Sequence, residues 1–288
     1  MASSAASAAP TSPVDEITAR KIEAAAEILR RGTTAVLTGA GISTDSGIPD
    51  YRGEGAPKRN PMTFQQFRGD AAFRRRYWAG SHVGWRMLDA AEPNDGHRML
   101  ADLEEAGHVN GVVTQNVDGL HLKAGSRRVV DLHGSMHRVI CLACGQAYAR
   151  SSIAERIAAE NPWLEQPESV VMNPDGDAEI ARADEFVVPD CTVCGGMLKP
   201  DIVYFGEFIP TEKFEEAAGI VHTADALLIA GSSLVVNSGI RLLEQALRRR
   251  LPVVIINRGV TKGDPRATIK IDGGASETLA RIAPLLAA

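Results

Sequence analysis

Residues Thr34-Ala-Val-Leu-Thr-Gly39-Ala-Gly-Ile-Ser43 decide the fold. Thr34 to Thr38 is a short, apolar, β-branched run and reads as a buried strand. Gly39-Ala-Gly41 follows with no spacer, which predicts the strand, glycine turn and helix of a dinucleotide-binding βα unit. Upstream, Ser12-Pro13-Val14-Asp15 reads as a helix start with Ser12 as N-cap and Pro13 at the first helical position. Val14, Ile17, Ile22, Ala25 and Leu29 continue it at helical spacing, and Gly32 ends it. The turn departs from the full dinucleotide fingerprint: Thr44 holds the third glycine position, and no ribose-binding acid stands about 20 residues on. Its extension, Gly39-Ala-Gly-Ile-Ser-Thr-Asp-Ser-Gly-Ile-Pro-Asp-Tyr-Arg52, strengthens the reading. Backbone amides of Gly39, Ala40, Gly41 and Ser43 at a helix N-terminus could meet a phosphate. Asp50 and Arg52, taken alone, read as a loop ion pair.

The rhythm changes over residues 53–92, where Arg68, Arg74, Arg75 and Arg76 mix with Phe64, Phe67, Phe73, Tyr77, Trp78 and Trp85. This stretch reads as a helical insertion with a solvated basic face. From His97 to Gly107 a helix is expected, then strands Val109–Thr114 and Arg128–Leu132, the first ending in Gln115-Asn-Val-Asp118 and the second at His133-Gly134. Further strands are expected at Ile202–Phe205, Ala226–Ala230, Val253–Ile256 and near Ala267–Ile271. Helices are expected from Thr211, over Ser238–Arg250 and from Ser276. Buried strands alternating with helices predict an α/β fold, a Rossmann-like doubly wound parallel sheet covered on both faces.

The chain has 288 residues, 44% apolar and 23% charged, with a formal net charge of −5. That composition excludes collagen, coiled coil and wholesale disorder. The mild acidity argues against a direct nucleic-acid binder, and no apolar run reaches the roughly 18 residues of a membrane span. Residues 1–12 lack the basic and apolar segments of a secretory signal and read as a disordered tail. The expected compartment is therefore the cytoplasm, bacterial rather than mitochondrial, since no transit-peptide pattern is present. The four cysteines form two C-x-x-C pairs, Cys141/Cys144 and Cys191/Cys194, each followed by glycine. Disulfides are disfavoured without a secretory signal, and a thioredoxin-type redox pair would be single. Four thiolates satisfy a closed, tetrahedral structural Zn2+ site. The 46 residues between the pairs exceed the usual ribbon spacing and require an excursion between the knuckles.

These motifs, in this order, resemble the sirtuins, NAD-dependent protein-lysine deacylases. The resemblance rests on Gly39–Ser43, Gly47-Ile-Pro-Asp-Tyr-Arg52, Thr114-Gln-Asn-Val-Asp118, His133-Gly-Ser135, the cysteine pairs, Lys199-Pro-Asp-Ile-Val-Tyr-Phe-Gly-Glu207, Gly231-Ser-Ser233 and Asn257. It spans roughly residues 14–286. Arg76-Tyr-Trp-Ala79, Lys123-Ala-Gly-Ser-Arg-Arg128 and Pro174-Asp-Gly-Asp177 look most like the branch that includes the mitochondrial lipoamidase-type sirtuin. Tyr51 stands where many members carry Phe.

The resemblance implies a domain division. The NAD-binding body would comprise 13–52, 93–137 and 201–288, with a helical insertion at 53–92 and a zinc module at 138–200. It also implies a reaction: the acyl-lysine carbonyl oxygen attacks the ribose carbon bearing nicotinamide, and nicotinamide leaves. His133 then deprotonates a ribose hydroxyl, and the products are lysine, nicotinamide and O-acyl-ADP-ribose. Asn116 and Asp118, with Gln115 and Val117, would hold the nicotinamide ribose and carboxamide, and Ile48 would line that pocket. Gly39, Ala40, Gly41, Ser43, Asp50, Tyr51 and Arg52 would also contact NAD. Gly231, Ser232 and Ser233 would bind its phosphate or ribose; Asn257, Arg258, Gly259 and Ala275 would meet the adenosine end. Val203, Phe205, Gly206 and Glu207 on one side, and Val235 and Val236 on the other, would pair with the extended substrate backbone. His137 reads as structural. Sirtuins that prefer acidic acyl groups carry a Tyr and an Arg three residues apart after the Arg52 position; Gly53–Asn60 offers no such pair, so desuccinylation is not expected. Two alternatives stand beside deacylation: protein mono-ADP-ribosyl transfer from the same pocket, and a non-catalytic zinc-ribbon interaction module. Intact His133, Asn116 and Asp118 count against the second.

Overall fold

A computed structural model describes residues 15–50, 62–164, 180 and 182–287. The expected tail, Tyr51, Arg52, residues 53–61 and Pro174–Asp177 lie outside them. Strand β1 (Thr34–Thr38) sits at the centre of a six-stranded sheet whose paired strands all run parallel. On one side follow β2 (Val109–Thr114) and β3 (Val129–Asp131). On the other lie β7 (Ala226–Ala230), β8 (Val253–Ile256) and β9 (Ile269–Ile271). Strand order therefore reverses between β1 and β7, the switch point at which doubly wound sheets bind ligands.

Side-chain alternation along the strands builds two separate cores. Val36 and Leu228 face α1 (Glu16–Arg30), α4 (Asp95–Glu105) and α9 (Ala275–Ala287) through Ile22, Leu29, Leu100, Leu279 and Ile282. Ala35, Leu37, Leu227 and Ile229 face α7 (Thr211–His222) and α8 (Asn237–Arg248) through Ile220, Leu242 and Leu243. Each such buried side chain contributes about 1.5–3 kcal/mol. α1 starts later than expected from Ser12: the Asp15 carboxylate accepts from the Thr18 amide at 2.9 Å and caps the helix.

A second, antiparallel sheet places β4 (Gly134–Cys141) between β5 (Ala147–Ala149) and β6 (Leu198–Ile202). The strand expected at Ile202–Phe205 is corrected accordingly: it lies four residues earlier and ends where the other was to begin. α2 (Phe64–Gly69), α3 (Ala71–Ala90) and α6 (Arg150–Glu160) pack on this sheet in one common core. Phe67, Tyr77 and Tyr204 form its aromatic centre, with ring centroids 5.0–5.5 Å apart. Arg150, 1% exposed, stacks 4.8 Å from the Trp78 ring and donates to the Ser81 carbonyl at 3.0 Å.

Three buried histidines couple this packing to pH. Burial pushes His82 down to about 3, aided by Arg86 and Arg150, and pushes His97 down to about 4 against the pull of Asp118. Burial also lowers His121, whose Nε2 lies 2.9 Å from Thr38 Oγ1 at the end of β1. Such a base costs no stability above its ordinary value of 6.5. Below it, only the unfolded chain takes the proton, so stability falls with pH. At pH 5, His82 and His97 each cost ~2 kcal/mol, a large share of a folding free energy. His121 adds in the same direction. Asp131, raised by burial, gains stability as pH falls but is one group. The urea midpoint is expected to drop markedly between pH 7.5 and pH 5. Equal midpoints would mean that these imidazoles protonate inside the fold.

Candidate active site

The carboxyl ends of β1, β2 and β7 meet at the switch point. The Gly41 amide donates to the Gly231 carbonyl at 2.9 Å, and Gln115 N–H donates to the Thr38 carbonyl at 2.9 Å. Gly231 has φ +65, and a Cβ there would sit 2.3 Å from Ile42 N. Glycine is needed because the two turns touch. The helix expected after Gly41 is replaced by two 3₁₀ turns, Ala40–Ile42 and Thr44–Ser46, closed by Gly47 at φ +82. This corrects the amide reading. Gly39, Gly41 and Ser43 spend their N–H groups on Ala230, Gly231 and Ala40 carbonyls, and the Ala40 amide takes no part in these bonds.

Behind the turn lies a buried polar cluster. Ser43 Oγ donates to Asp118 Oδ2 at 2.8 Å, and Asn116 Nδ2 donates to Ser43 Oγ at 3.0 Å and to the Gly39 carbonyl at 3.2 Å. Asp118 Oδ1 accepts from the Leu120 amide at 2.9 Å. The Val117 carbonyl accepts from Met136 N–H at 3.0 Å, and His137 Nε2 donates to the Asp118 carbonyl at 2.9 Å. His137 is thus structural, tying the 115–119 loop to β4. Ile48, 3% exposed, flanks Ser43 with its amide 3.3 Å from the Ser43 carbonyl, and Asp50 follows, half-buried.

His133 links β3 to β4. Its Nδ1 is 2.9 Å from the Gln115 carbonyl, which can only accept, so the neutral ring carries its proton on Nδ1 and its lone pair on Nε2. That lone pair faces Ser238 Oγ at 2.9 Å. Burial pushes the His133 pKa below 6.5, partly opposed by the Gln115 hydrogen bond. The imidazole is neutral at pH 7, the form a base requires. Gly134, at φ +84, brings β4 so close to β6 that a Cβ would lie 1.9 Å from the Asp201 carbonyl oxygen.

Beside His133, its carbonyl accepts from Val203 N–H at 2.8 Å. The turn that follows is fixed by Lys199, 3% exposed, whose Nζ donates to both Glu207 carboxylate oxygens at 2.8 and 2.9 Å and to the Ile202 carbonyl. Glu207 also accepts from Tyr204 N–H at 3.0 Å, and Gly206 takes φ +79. This Lys199–Glu207 clasp went unread in the sequence. Phe205 is half-exposed and its carbonyl accepts from Phe64 N–H at 2.9 Å. Val235 and Val236 lie half-buried and exposed at the start of α8. At the ends of β8 and β9, Asn257 N–H donates to the Ile271 carbonyl, Gly259 N–H to Asp272 Oδ1 at 3.0 Å, and Ala275 opens α9 with Arg258 packed on Gly274. Ser232 Oγ donates to Gln115 Oε1 at 2.7 Å, with half-buried Ser233 beside it.

The four cysteine sulfurs lie within 4.8 Å of one another, with Cys141–Cys194 at 3.6 Å and Cys144–Cys191 at 3.7 Å. Sulfurs bound at 2.3 Å to a tetrahedral zinc stand about 3.8 Å apart. The donor set therefore fits zinc and does not fit disulfides, whose sulfurs lie about 2 Å apart. Ala143 N–H donates to Cys141 Sγ at 3.4 Å, and the Tyr148 hydroxyl at 3.1 Å from Cys191 Sγ pulls that thiol down to about 6.

A parallel sheet whose strand order reverses beside a neutral histidine, with an appended four-cysteine centre that fits zinc, defines a doubly wound, dinucleotide-binding type of body carrying a metal module. The Sir2 family profile matches residues 39–238, and the chain belongs to that family. It is 57% identical over 253 residues to NAD-dependent protein deacetylase 1 of Mycobacterium avium, covering 86% of this chain and 90% of that one. It is 41% identical over 283 residues to the mitochondrial NAD-dependent protein lipoamidase sirtuin-4 of Bos taurus, covering 96% and 89%. A solved structure of Sir2 bound to acetylated peptide superposes with a TM-score of 0.74 at 30% identity, covering 91% and 96%.

Proposed function

We propose that this protein is an NAD-dependent protein-lysine deacylase that moves the acyl group of an acylated lysine onto ADP-ribose. The observation that carries this is His133: a neutral imidazole beside the switch point, with its proton pinned on Nδ1 by the Gln115 carbonyl and its lone pair on Nε2, hydrogen-bonded to Ser238. NAD, when bound, supplies the ribose carbon that loses nicotinamide and the hydroxyl that accepts the acyl group. The buried cluster of Ser43, Asn116 and Asp118, with Gln115, Val117 and Ile48, suits an uncharged carboxamide and ribose, since its donors and acceptors are pre-oriented. Gly39, Ala40, Gly41, Asp50, Tyr51 and Arg52, and Gly231, Ser232 and Ser233, line the phosphate and second-ribose end, the glycines by letting the backbone approach closely and not by their engaged amides. Asn257, Arg258, Gly259 and Ala275 take the adenosine end. The segments Val203, Phe205, Gly206, Glu207 and Val235, Val236 hold the peptide as an added strand. The Lys199–Glu207 clasp sets the first segment beside His133.

This reading keeps the discontinuous body, the 53–92 insertion and the 138–200 module as its working division. It places the enzyme in the bacterial cytoplasm on the strength of the bacterial relatives. No described helix is long and apolar enough to cross a membrane. The partners are acyl-lysine proteins, with no direct role for nucleic acid or membrane. Mass spectrometry of NAD turnover over a panel of acyl-lysine peptides tests it. O-acyl-ADP-ribose in step with free lysine is the expected product. ADP-ribose left on protein, or NAD untouched by every peptide, would sink the proposal.

A further inference from the structure

Ser238 lies outside the residues singled out by the sequence. It is 5% exposed and is the second residue of α8. The directions of its bonds follow from its neighbours. Gln115 Oε1 accepts from the Ser232 hydroxyl, so the Gln115 amide nitrogen, 3.4 Å from Ser238 Oγ, donates to it. His133 Nε2 carries the lone pair, so the Ser238 hydroxyl donates to it at 2.9 Å. A hydroxyl oxygen has two acceptor sites. Gln115 takes one, and among the described residues no group takes the other. A substrate hydroxyl approaching the base therefore meets Ser238 Oγ, because the Nε2 lone pair is already engaged.

We propose that Ser238 is a proton relay between the substrate ribose hydroxyl and His133. As the ribose oxygen's electron pair forms its bond to the imidate carbon, that carbon's C=N π pair moves onto the lysine nitrogen, and the hydroxyl proton passes to Ser238 Oγ. The Ser238 proton passes in the same event to His133 Nε2. Ser238 ends neutral, and His133 ends as imidazolium with Nδ1–H still on the Gln115 carbonyl. The N-terminus of the 12-residue α8 favours the transient negative charge on Oγ. Gln115 is then a positioning residue that orients the relay from Ser232.

The inference rests on the deacylase reading, and its test separates the two. Exchange of labelled nicotinamide into NAD in the presence of an acyl peptide reports the step before any base acts. O-acyl-ADP-ribose formation reports the step after. Ser238→Ala is expected to slow acyl transfer about 10–10²-fold, a part of what a general base supplies, with exchange within about twofold of wild type. Ser238→Thr, which keeps the hydroxyl, is expected to restore most of the rate. Wild-type acyl transfer is expected to show a curved dependence on deuterium content from two protons in flight, and Ser238→Ala to lose the curvature. Acyl transfer unchanged in Ser238→Ala overturns the relay, as does an equal fall in both readouts, which marks a structural role. Wild-type protein with neither exchange nor acyl transfer overturns the deacylase reading itself, and the relay with it.

Discussion

Alanine in place of His133 is expected to lower kcat for acyl transfer by about 10²–10⁴-fold, the range a general base contributes. KM for the acyl peptide should change little, because the proposed peptide-binding segments are 203–207 and 235–236 and do not include the imidazole. The Nδ1 bond to the Gln115 carbonyl predicts more than a loss of rate. That bond fixes the tautomer and leaves Nε2 as the only basic nitrogen. Asparagine could keep the donation to Gln115 yet could not take a proton, so His133→Asn should be as slow as alanine. Burial sets the pH dependence. The His133 pKa lies below 6.5, so the base is neutral at and above that pH and activity should fall only as pH drops through the lowered value. In the alanine variant this acid limb should vanish from the residual activity. Profiles of kcat/KM taken where circular dichroism shows the fold intact decide the matter. A variant within tenfold of wild type, or one with an unchanged acid limb, would remove His133 from the chemistry.

The strands that build the body were legible because they are buried on both faces. Thr34–Thr38, Val109–Thr114, Ala226–Ala230 and Val253–Ile256 are continuous runs with no charged interruption, and their ends match the expected ones. β6 was not legible. Leu-Lys-Pro-Asp-Ile carries two charges and a proline, and reads as strand only once Lys199 is seen to be neutralised by Glu207 eight residues on. The more apolar Val203-Tyr-Phe205 looked like the strand instead, but Glu207 and Gly206 turn it. The glycine turn misled in a similar way. Its glycines serve the contact between β1 and β7 ends, and the chain after it coils in 3₁₀ turns. Of the site, His133, Asn116, Asp118 and the cysteines were visible as motifs. Ser238 carried no such signal: a serine near a helix start is ordinary capping chemistry, and only the distance to His133 shows otherwise.

Removing zinc is expected to abolish acyl transfer and to lower the melting temperature, with the central parallel sheet still folded. A closed four-cysteine site contributes on the order of 10 kcal/mol in small domains, and each kcal/mol lost shifts Tm by roughly 2–4 °C in a chain of this size. Part of that loss is cushioned, because Val139, Leu198, Ile153, Ile157 and Phe186 stay packed in the apolar core they share with α2 and α3. A fall in Tm on the order of 10 °C is therefore expected rather than collapse. Activity should suffer more than stability, for a topological reason. β4 ends at Cys141 and begins one residue after His133, roughly 25 Å away at strand rise. β6 runs from four residues beyond Cys194 to the start of the 203–207 segment. A metal there would clamp one end of a pair of strands whose other end carries His133 and the proposed substrate-binding 203–207 segment. The two packed clusters on the parallel sheet touch neither knuckle. Cys194→Ser, at an exposed ligand, should weaken zinc retention and give an intermediate loss that added Zn2+ partly restores. Metal content, thermal scans and acyl transfer, all measured on the same chelated samples, check these expectations together. Zinc-free protein with wild-type rate and Tm would show that the cysteine cluster neither binds a structural ion nor braces the catalytic strands.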